Sequence, residues 1–186
     1  KAIKHNSKFL QYASDNIKSN RDIAMSILIN HHNQLNSSSK SIPSFNHISM
    51  LLRNDFNFMN KAIKINPVVI FHLSLELRRN IKFILLNVDT FSYLISSCNG
   101  DYFSFQIWDH YDIAYAFVMK NWKHLYNITY RLQFNSEILI EAISQSRDAI
   151  TLVNWKKDNF NPFYQYVFKR VKNYTISLSD YINTIL

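Results

Sequence analysis

Asp55-Phe56-Asn57-Phe58-Met59-Asn60-Lys61-Ala62-Ile63-Lys64-Ile65-Asn66-Pro67 is the stretch that decides the fold. Its residues Phe58, Met59, Ala62 and Ile63 stand three, four, seven and eight positions after Asp55. That is one face of a 3.6-residue period, so the spacing predicts a helix that starts after Asp55. An Asp at that point is a natural N-cap, its carboxylate accepting a backbone N–H that has no partner inside the helix. Asn66 is the expected cap of a second helix, and Pro67 falls where the first helical turn tolerates proline best.

Lys61-Ala62-Ile63-Lys64-Ile65-Asn66 recurs as Lys1-Ala2-Ile3-Lys4-His5-Asn6. Sliding the chain along itself extends this to a frame anchored on Asn20, Asp55, Asn80, His110 and Asn135, with Asp158 a looser sixth member. Three residues before the anchors lie Ile17, Leu52, Leu77, Ile107, Leu132 and Trp155. Six before the first five lies a hydroxyl, in Ser14, Ser49, Ser74, Ser104 and Thr129. Three after come Ile23, Phe58, Phe83, Ile113 and Ile138; eight after come Leu28, Ile63, Val88, Val118 and Ile143, with Tyr166 in the sixth unit. The anchors are spaced by 35, 25, 30, 25 and 23 residues, so the unit is near 25 residues. Asn6, Asn66 and Asn121 share one later position and are the expected caps of the second helix. Its buried stripe is expected at Leu10, Ala13 and Ile17, and at Ile70, Leu73 and Leu77. Each unit reads as two short helices, and neither is long enough to stand alone, so neighbours must supply the core. The expectation is an all-α chain, an α-solenoid-like array of about six helical hairpins in a single domain over 1–186. Exposed insertions are expected near 31–43 and 96–101, and a last helix within Tyr174–Leu186 as a cap. Ala2 and Ile3 sit at the seventh and eighth positions of a unit whose anchor would precede Lys1, so the chain reads as part of a longer protein.

Composition narrows the chemistry. Among 186 residues there is one glycine, Gly100, and there are three prolines. Gly-rich phosphate loops, dinucleotide fingerprints and the nucleophile elbow need glycines at fixed offsets, and tight-turned β architectures need turn residues that are scarce here. Apolar residues make up 47% of the chain, enough to fill a core. The net charge of +8 comes from scarce acids, with Glu76, Glu137 and Glu141 the only glutamates. Such a balance suits an anionic partner: nucleic acid, an acidic protein or a lipid surface. No apolar run approaches the length of a membrane span. The lone Cys98 fits a reducing compartment, hence a cytoplasmic setting.

The runs Leu10-Gln11-Tyr12-Ala13-Ser14, Ile17-Lys18-Ser19-Asn20-Arg21-Asp22-Ile23, Asp55–Pro67 and Leu77-Arg78-Arg79-Asn80 resemble a family of short helical repeats described as a domain of unknown function. Those repeats recur in secreted effectors of intracellular bacteria such as Legionella, and in amoebal and giant-virus proteins. The likeness covers about 1–30 and 50–90 well and 104–146 more loosely. It implies an architecture and an effector setting, with delivery into a host cell and a host protein as partner. The family carries no agreed activity or catalytic residues, so the resemblance implies no mechanism.

A search for catalytic or metal chemistry meets structural alternatives at each point. His31-His32 with His47, and Asp109-His110 with Asp112, lack the spacing by which helices present zinc ligands. Asp109-His110 falls at an anchor, where capping is the simpler role. Cys98 has no basic neighbour to lower its pKa. Glu137 and Glu141, four apart, read as a solvated face near a helix start. The Ser/Thr row recurs in every good unit, as packing residues do and catalytic ones do not. No cofactor is expected, and the chain reads as non-enzymatic.

One recurrent feature reads as a contact surface. Lys18, Arg53, Arg78 and Lys156 share the second position before the anchor, with Arg79 beside one of them and Trp108 and Gln133 interrupting the row. In a stacked array equivalent positions align, so these would form a basic strip able to hold acidic side chains or phosphates. The alternative is a set of ordinary polar positions before helix starts. Tyr102, Phe105, Trp108 and Tyr111 lie off the core offsets, which reads either as exposed aromatics for an interface or as burial beneath a loop. The candidate binding residues are therefore Lys18, Arg53, Arg78, Arg79, Trp108 and Lys156. The leading functional reading is a scaffold for protein–protein interaction. Nucleic-acid binding through the basic strip stands beside it, as does a substrate-positioning segment of an enzyme whose catalytic domain lies elsewhere.

Overall fold

The computed structural model describes residues 7–34, 42–95 and 102–149, and every regular element among them is helical, with no strand. Asn6, Lys156, Trp155, Asp158, Tyr166, Cys98 and the expected helix in Tyr174–Leu186 lie outside the described residues, as does most of each expected insertion. No described helix is long and apolar enough to cross a membrane. The chain divides into two compact units, Lys1–Leu94 and Ile95–Leu186.

In the first unit, 3-10 helix η1 (Ser7–Tyr12) leads to the one-turn helix α1 (Asp15–Lys18) and then to α2 (Arg21–Gln34). After η2 (Pro43–His47) come α3 (Met50–Arg53) and α4 (Phe56–Ile65). Then η3 (Pro67–His72), α5 (Leu75–Arg78), α6 (Ile81–Leu86) and α7 (Val88–Ile95) follow. The second unit runs through α8 (Phe105–Trp108), α9 (Tyr111–Lys120), η4 (Trp122–Tyr126), α10 (Tyr130–Gln133) and α11 (Ser136–Gln145).

The anchors start helices as their chemistry requires. Asn20 Oδ1 accepts from Ile23 N–H at 3.0 Å, Asp55 Oδ1 from Phe58 at 2.7 Å, and Asn80 Oδ1 from Phe83 at 2.9 Å. Asn135 Oδ1 accepts from both Glu137 and Ile138. His110 occupies the N-cap of α9 without a side-chain capping bond. Asn66 and Asn121 cap the 3-10 helices η3 and η4. The positions four and seven after each anchor are buried in both units: Ala24 and Ile27, Met59 and Ala62, Ile84 and Asn87, Ala114 and Phe117, Leu139 and Ala142.

Two expectations need correction. The second helix of each unit is not continuous: after Asn66 the chain forms η3, breaks at Leu73-Ser74 in extended geometry, and restarts as α5. A hydroxyl of the row caps the restart at Ser49 and Ser74, whereas Ser14, Ser104 and Thr129 precede their one-turn helices without a side-chain cap. Ser74, with ψ of 160°, turns its side chain to cap Leu77 N–H at 3.1 Å, and Ser49 caps Leu52 N–H likewise. A Ser side chain that serves the backbone in this way ends one helix and begins another. The apolar spacing at Ile70, Leu73 and Leu77 suits 3-10 and α geometry alike, so periodicity did not distinguish them. The second correction concerns the stretch that starts at His31: α2 continues through Gln34, so its first residues are helical rather than loop.

Asn87 breaks the helix after Asn80 into α6 and α7. It stands at a position filled by Ala62, Phe117 or Ala142 elsewhere, and its side-chain Nδ2 donates to Phe83 O at 3.0 Å. The amide takes the carbonyl that the helix ladder would otherwise use, which is a recognised cause of a helix break.

Candidate functional site

The one-turn helices are what carry the basic row. A four-residue helix has almost no hydrogen bonds of its own, and most of its end groups lack intrahelical partners. Here the chain satisfies them in series. Lys18 N–H donates to Ser14 O at 3.0 Å, and Lys18 O accepts from Ser49 N–H at 3.0 Å. Ser49 O accepts from Arg53 N–H at 3.1 Å, Arg53 O from Ser74 N–H at 3.2 Å, and Ser74 O from Arg78 N–H at 3.1 Å. Helices α1, α3 and α5, far apart in sequence, are thereby joined head to tail through peptide groups. Side chains reinforce the junction: Ser74 Oγ donates to Asn54 Oδ1 at 2.7 Å.

Lys18, Arg53 and Arg78 are the last residues of these three helices, and Arg79 is the residue that follows the third. Lys18, Arg53 and Arg78 are half-buried and Arg79 is exposed. A cation at a helix C-terminus also complements the dipole, so the row has a structural role at these positions. The first unit brings these four expected residues onto successive, directly bonded elements. Lys156 lies outside the described residues.

The second unit repeats the backbone pattern but not the charge. Trp108 N–H donates to Ser104 O at 3.2 Å, Thr129 N–H to Trp108 O at 3.3 Å, and Gln133 N–H to Thr129 O at 3.0 Å. Trp108 is only 4% exposed. Its ring centroid lies 5.5 Å from Phe103, 5.1 Å from Phe117 and 6.3 Å from His124, the last in a stacked arrangement. The exposed-aromatic reading of Trp108 is thus corrected: an indole at this position turns inward to bury its area, as a guanidinium would not. Gln133 also turns inward, its Nε2 donating to Leu125 O at 2.8 Å. The junction is held by Thr129 Oγ1 donating to Asp109 Oδ1, and by Arg131, whose Nη2 donates to Asp109 O at 2.9 Å. The Thr129 hydroxyl, with Arg131, holds the Asp109 carboxyl below its usual range. Tyr111 donates to Glu137, which raises the Tyr111 hydroxyl to about 12.

Close to the basic row, His72 is buried with Nδ1 2.9 Å from Asn46 Oδ1, and its Nε2 has no hydrogen-bond partner among the described residues. Burial, with the Arg53 and His31 charges adding to it, pushes its pKa down to about 4. Phe45 meets its ring edge-on at 5.5 Å. Asp55 is held below its usual range chiefly by Phe58 N–H, and it pairs with Arg21. Among the described residues no group of three His, Cys, Asp or Glu side chains comes together to hold a metal. His31 instead approaches Asn66, Nδ1 to Nδ2 3.3 Å.

One row was missed in the sequence. The first residue of each one-turn helix, five before the anchor, is Met50, Leu75, Phe105 and Tyr130 in four units, exposed by 57, 48, 70 and 62% respectively. Leu51 beside Met50 is 78% exposed. Phe105 alone is singled out in the sequence as off the core offsets; the other members are out of phase with the core stripe, and the row as a row went unread.

Comparison with curated proteins gives no match, and comparison with solved structures gives none. Over residues 1–43 and 34–78, fewer than half of its 186, the chain is similar to a family described as Domain of unknown function (DUF4116).

Proposed function

We propose that this chain is a non-enzymatic helical-repeat scaffold, an α-solenoid-like array whose one-turn helices present a protein-binding surface. The observation that carries the reading is the series of peptide hydrogen bonds from Ser14 through Lys18, Ser49, Arg53 and Ser74 to Arg78. It fixes three cation-bearing helix ends relative to one another at the cost of no side chain, which is what a rigid recognition surface requires. The setting as one segment of a secreted bacterial effector with a host protein as partner rests on likeness to short helical repeats.

The test is capture from eukaryotic lysate at low and moderate salt, with and without nuclease. Wild type is compared with Lys18→Glu/Arg53→Glu/Arg78→Glu, after circular dichroism shows that the variant keeps its helix content. A discrete protein retained after nuclease and lost in the variant is the expected result. Recovery of nucleic acid that disappears with nuclease and salt would overturn the scaffold reading in favour of binding through the basic row. That second reading draws on the first unit, where nine Lys and Arg face five Asp and Glu among the described residues.

A further inference from the structure

In the first unit the exposed apolar row and the basic row are carried by the same one-turn helices. Residues five and two before an anchor are three apart on the same one-turn helix, hence on one face. In the first unit α3 carries Met50 and Arg53 on that face, and α5 carries Leu75 and Arg78. Lys18 extends the file at one end and Arg79 at the other, with Leu51 alongside. The acids on the same three helices are Asp15 and Glu76. We propose that this file, Lys18, Met50, Arg53, Leu75 and Arg78, is the docking track for an extended acidic peptide segment with apolar residues between its acids. The proposal rests on the scaffold reading and adds the chemistry of the partner.

Three features favour that occupant. Cations and aliphatic side chains alternate, so a ligand satisfying both must carry carboxylates and apolar groups in turn. Nucleic acid offers phosphates and flat bases, which call for aromatic platforms, whereas the apolar members here are Met50, Leu51 and Leu75. The file is also one helix wide. Each helix is joined to the next by a peptide hydrogen bond, so the backbones of successive cations stand one four-residue helix and one junction apart, on the order of 10–13 Å. An extended chain covers that distance in about four residues. A narrow file with this period fits a single linear chain better than a planar lipid surface.

The experiment is fluorescence anisotropy of the full chain with a labelled, extended peptide carrying an Asp or Glu at every fourth residue and Leu between. Three further probes accompany it: the same peptide with Lys for each acid, a single-stranded oligonucleotide, and vesicles containing phosphatidylserine. The expected result is saturable binding of the acidic peptide alone. Met50→Ser/Leu75→Ser should weaken it about tenfold, and so should Lys18→Gln/Arg79→Gln, while circular dichroism shows that both variants keep the wild-type helix content. Equal binding by the Met50→Ser/Leu75→Ser variant, or preference for vesicles or oligonucleotide, overturns the proposal. If the acidic peptide does not bind but the lysate partner is still captured in a manner sensitive to Lys18, Arg53 and Arg78, the assigned chemistry is wrong and the scaffold stands. If neither binds, both readings fail.

Discussion

At the residue scale, equivalent positions act as each other's controls. Asn20, Asp55, Asn80 and Asn135 all place a side-chain oxygen on the first free N–H groups of a helix, and His110 stands in the same place without doing so. Asn80→Ala is therefore expected to cost about 1 kcal/mol, while His110→Asn should add roughly 0.5–1 kcal/mol. Urea unfolding of the two variants beside wild type checks both signs. His72 gives a pH dependence whose direction follows from its burial. The folded pKa of about 4 lies below the ordinary 6.5, so the unfolded chain binds the proton more readily between those values. The stability is complete well above pH 6.5 and falls as pH drops toward 4, by about 3 kcal/mol from this residue. Denaturation midpoints at pH 7 and pH 5 should differ less in His72→Gln than in wild type. An equal drop in both would place the effect on another group. The anchor caps were legible because an Asn or Asp beside an apolar period has one dominant use; the burial of His72 was not, since nothing in its flanks differs from a surface histidine.

At the scale of the element, the first helix of each unit could be read directly. The four buried positions after Asp55 and Asn135 match the periodicity that predicted them. The second helix could not, because a 3-10 turn followed by a capped one-turn helix reproduces nearly the same apolar spacing as one continuous helix. At Ser49 and Ser74 the hydroxyl between turn and helix caps the restart and so competes with helix continuation, while Ser14, Ser104 and Thr129 stand at the same break without a side-chain cap. Ser74 makes this testable, since it is buried, caps Leu77 and donates to Asn54. Ser74→Ala is expected to cost about 1–2 kcal/mol with an unchanged urea m-value. A loss below a few tenths would mean that Leu77 N–H needs no cap and that the break has another origin. Asn87 is a third case, a buried polar residue at a core position, which sequence reading passes over because its neighbour Val88 keeps the pattern.

At the scale of the whole molecule, the two units use one backbone scheme with different surfaces. The first has nine Lys and Arg to five acids among its described residues, and the second has four to five. The net charge of the chain therefore hides where a cation-seeking ligand would go. Of the candidate site, Lys18, Arg53 and Arg78 were legible as equivalent positions, with Arg79 beside the last. Trp108 was misplaced because position alone does not tell whether an aromatic turns outward. The apolar row at Met50 and Leu75 was overlooked because a search for core periodicity discards residues that are out of phase.

The hydrogen bonds between one-turn helices also make particular amides into reporters. The N–H groups of Ser49 and Ser74 are held by carbonyls of the preceding one-turn helix, not by their own. Neither is an intrahelical bond of α3 or α5; each is lost when the carbonyl end of the preceding one-turn helix moves away. Their deuterium exchange thus clocks the parting of successive segments, residue by residue, while the amides inside α4 clock the melting of a helix. Wherever a ligand lies across several segments, it is the first set that must slow, and the extent of slowing along the series marks how far the ligand reaches.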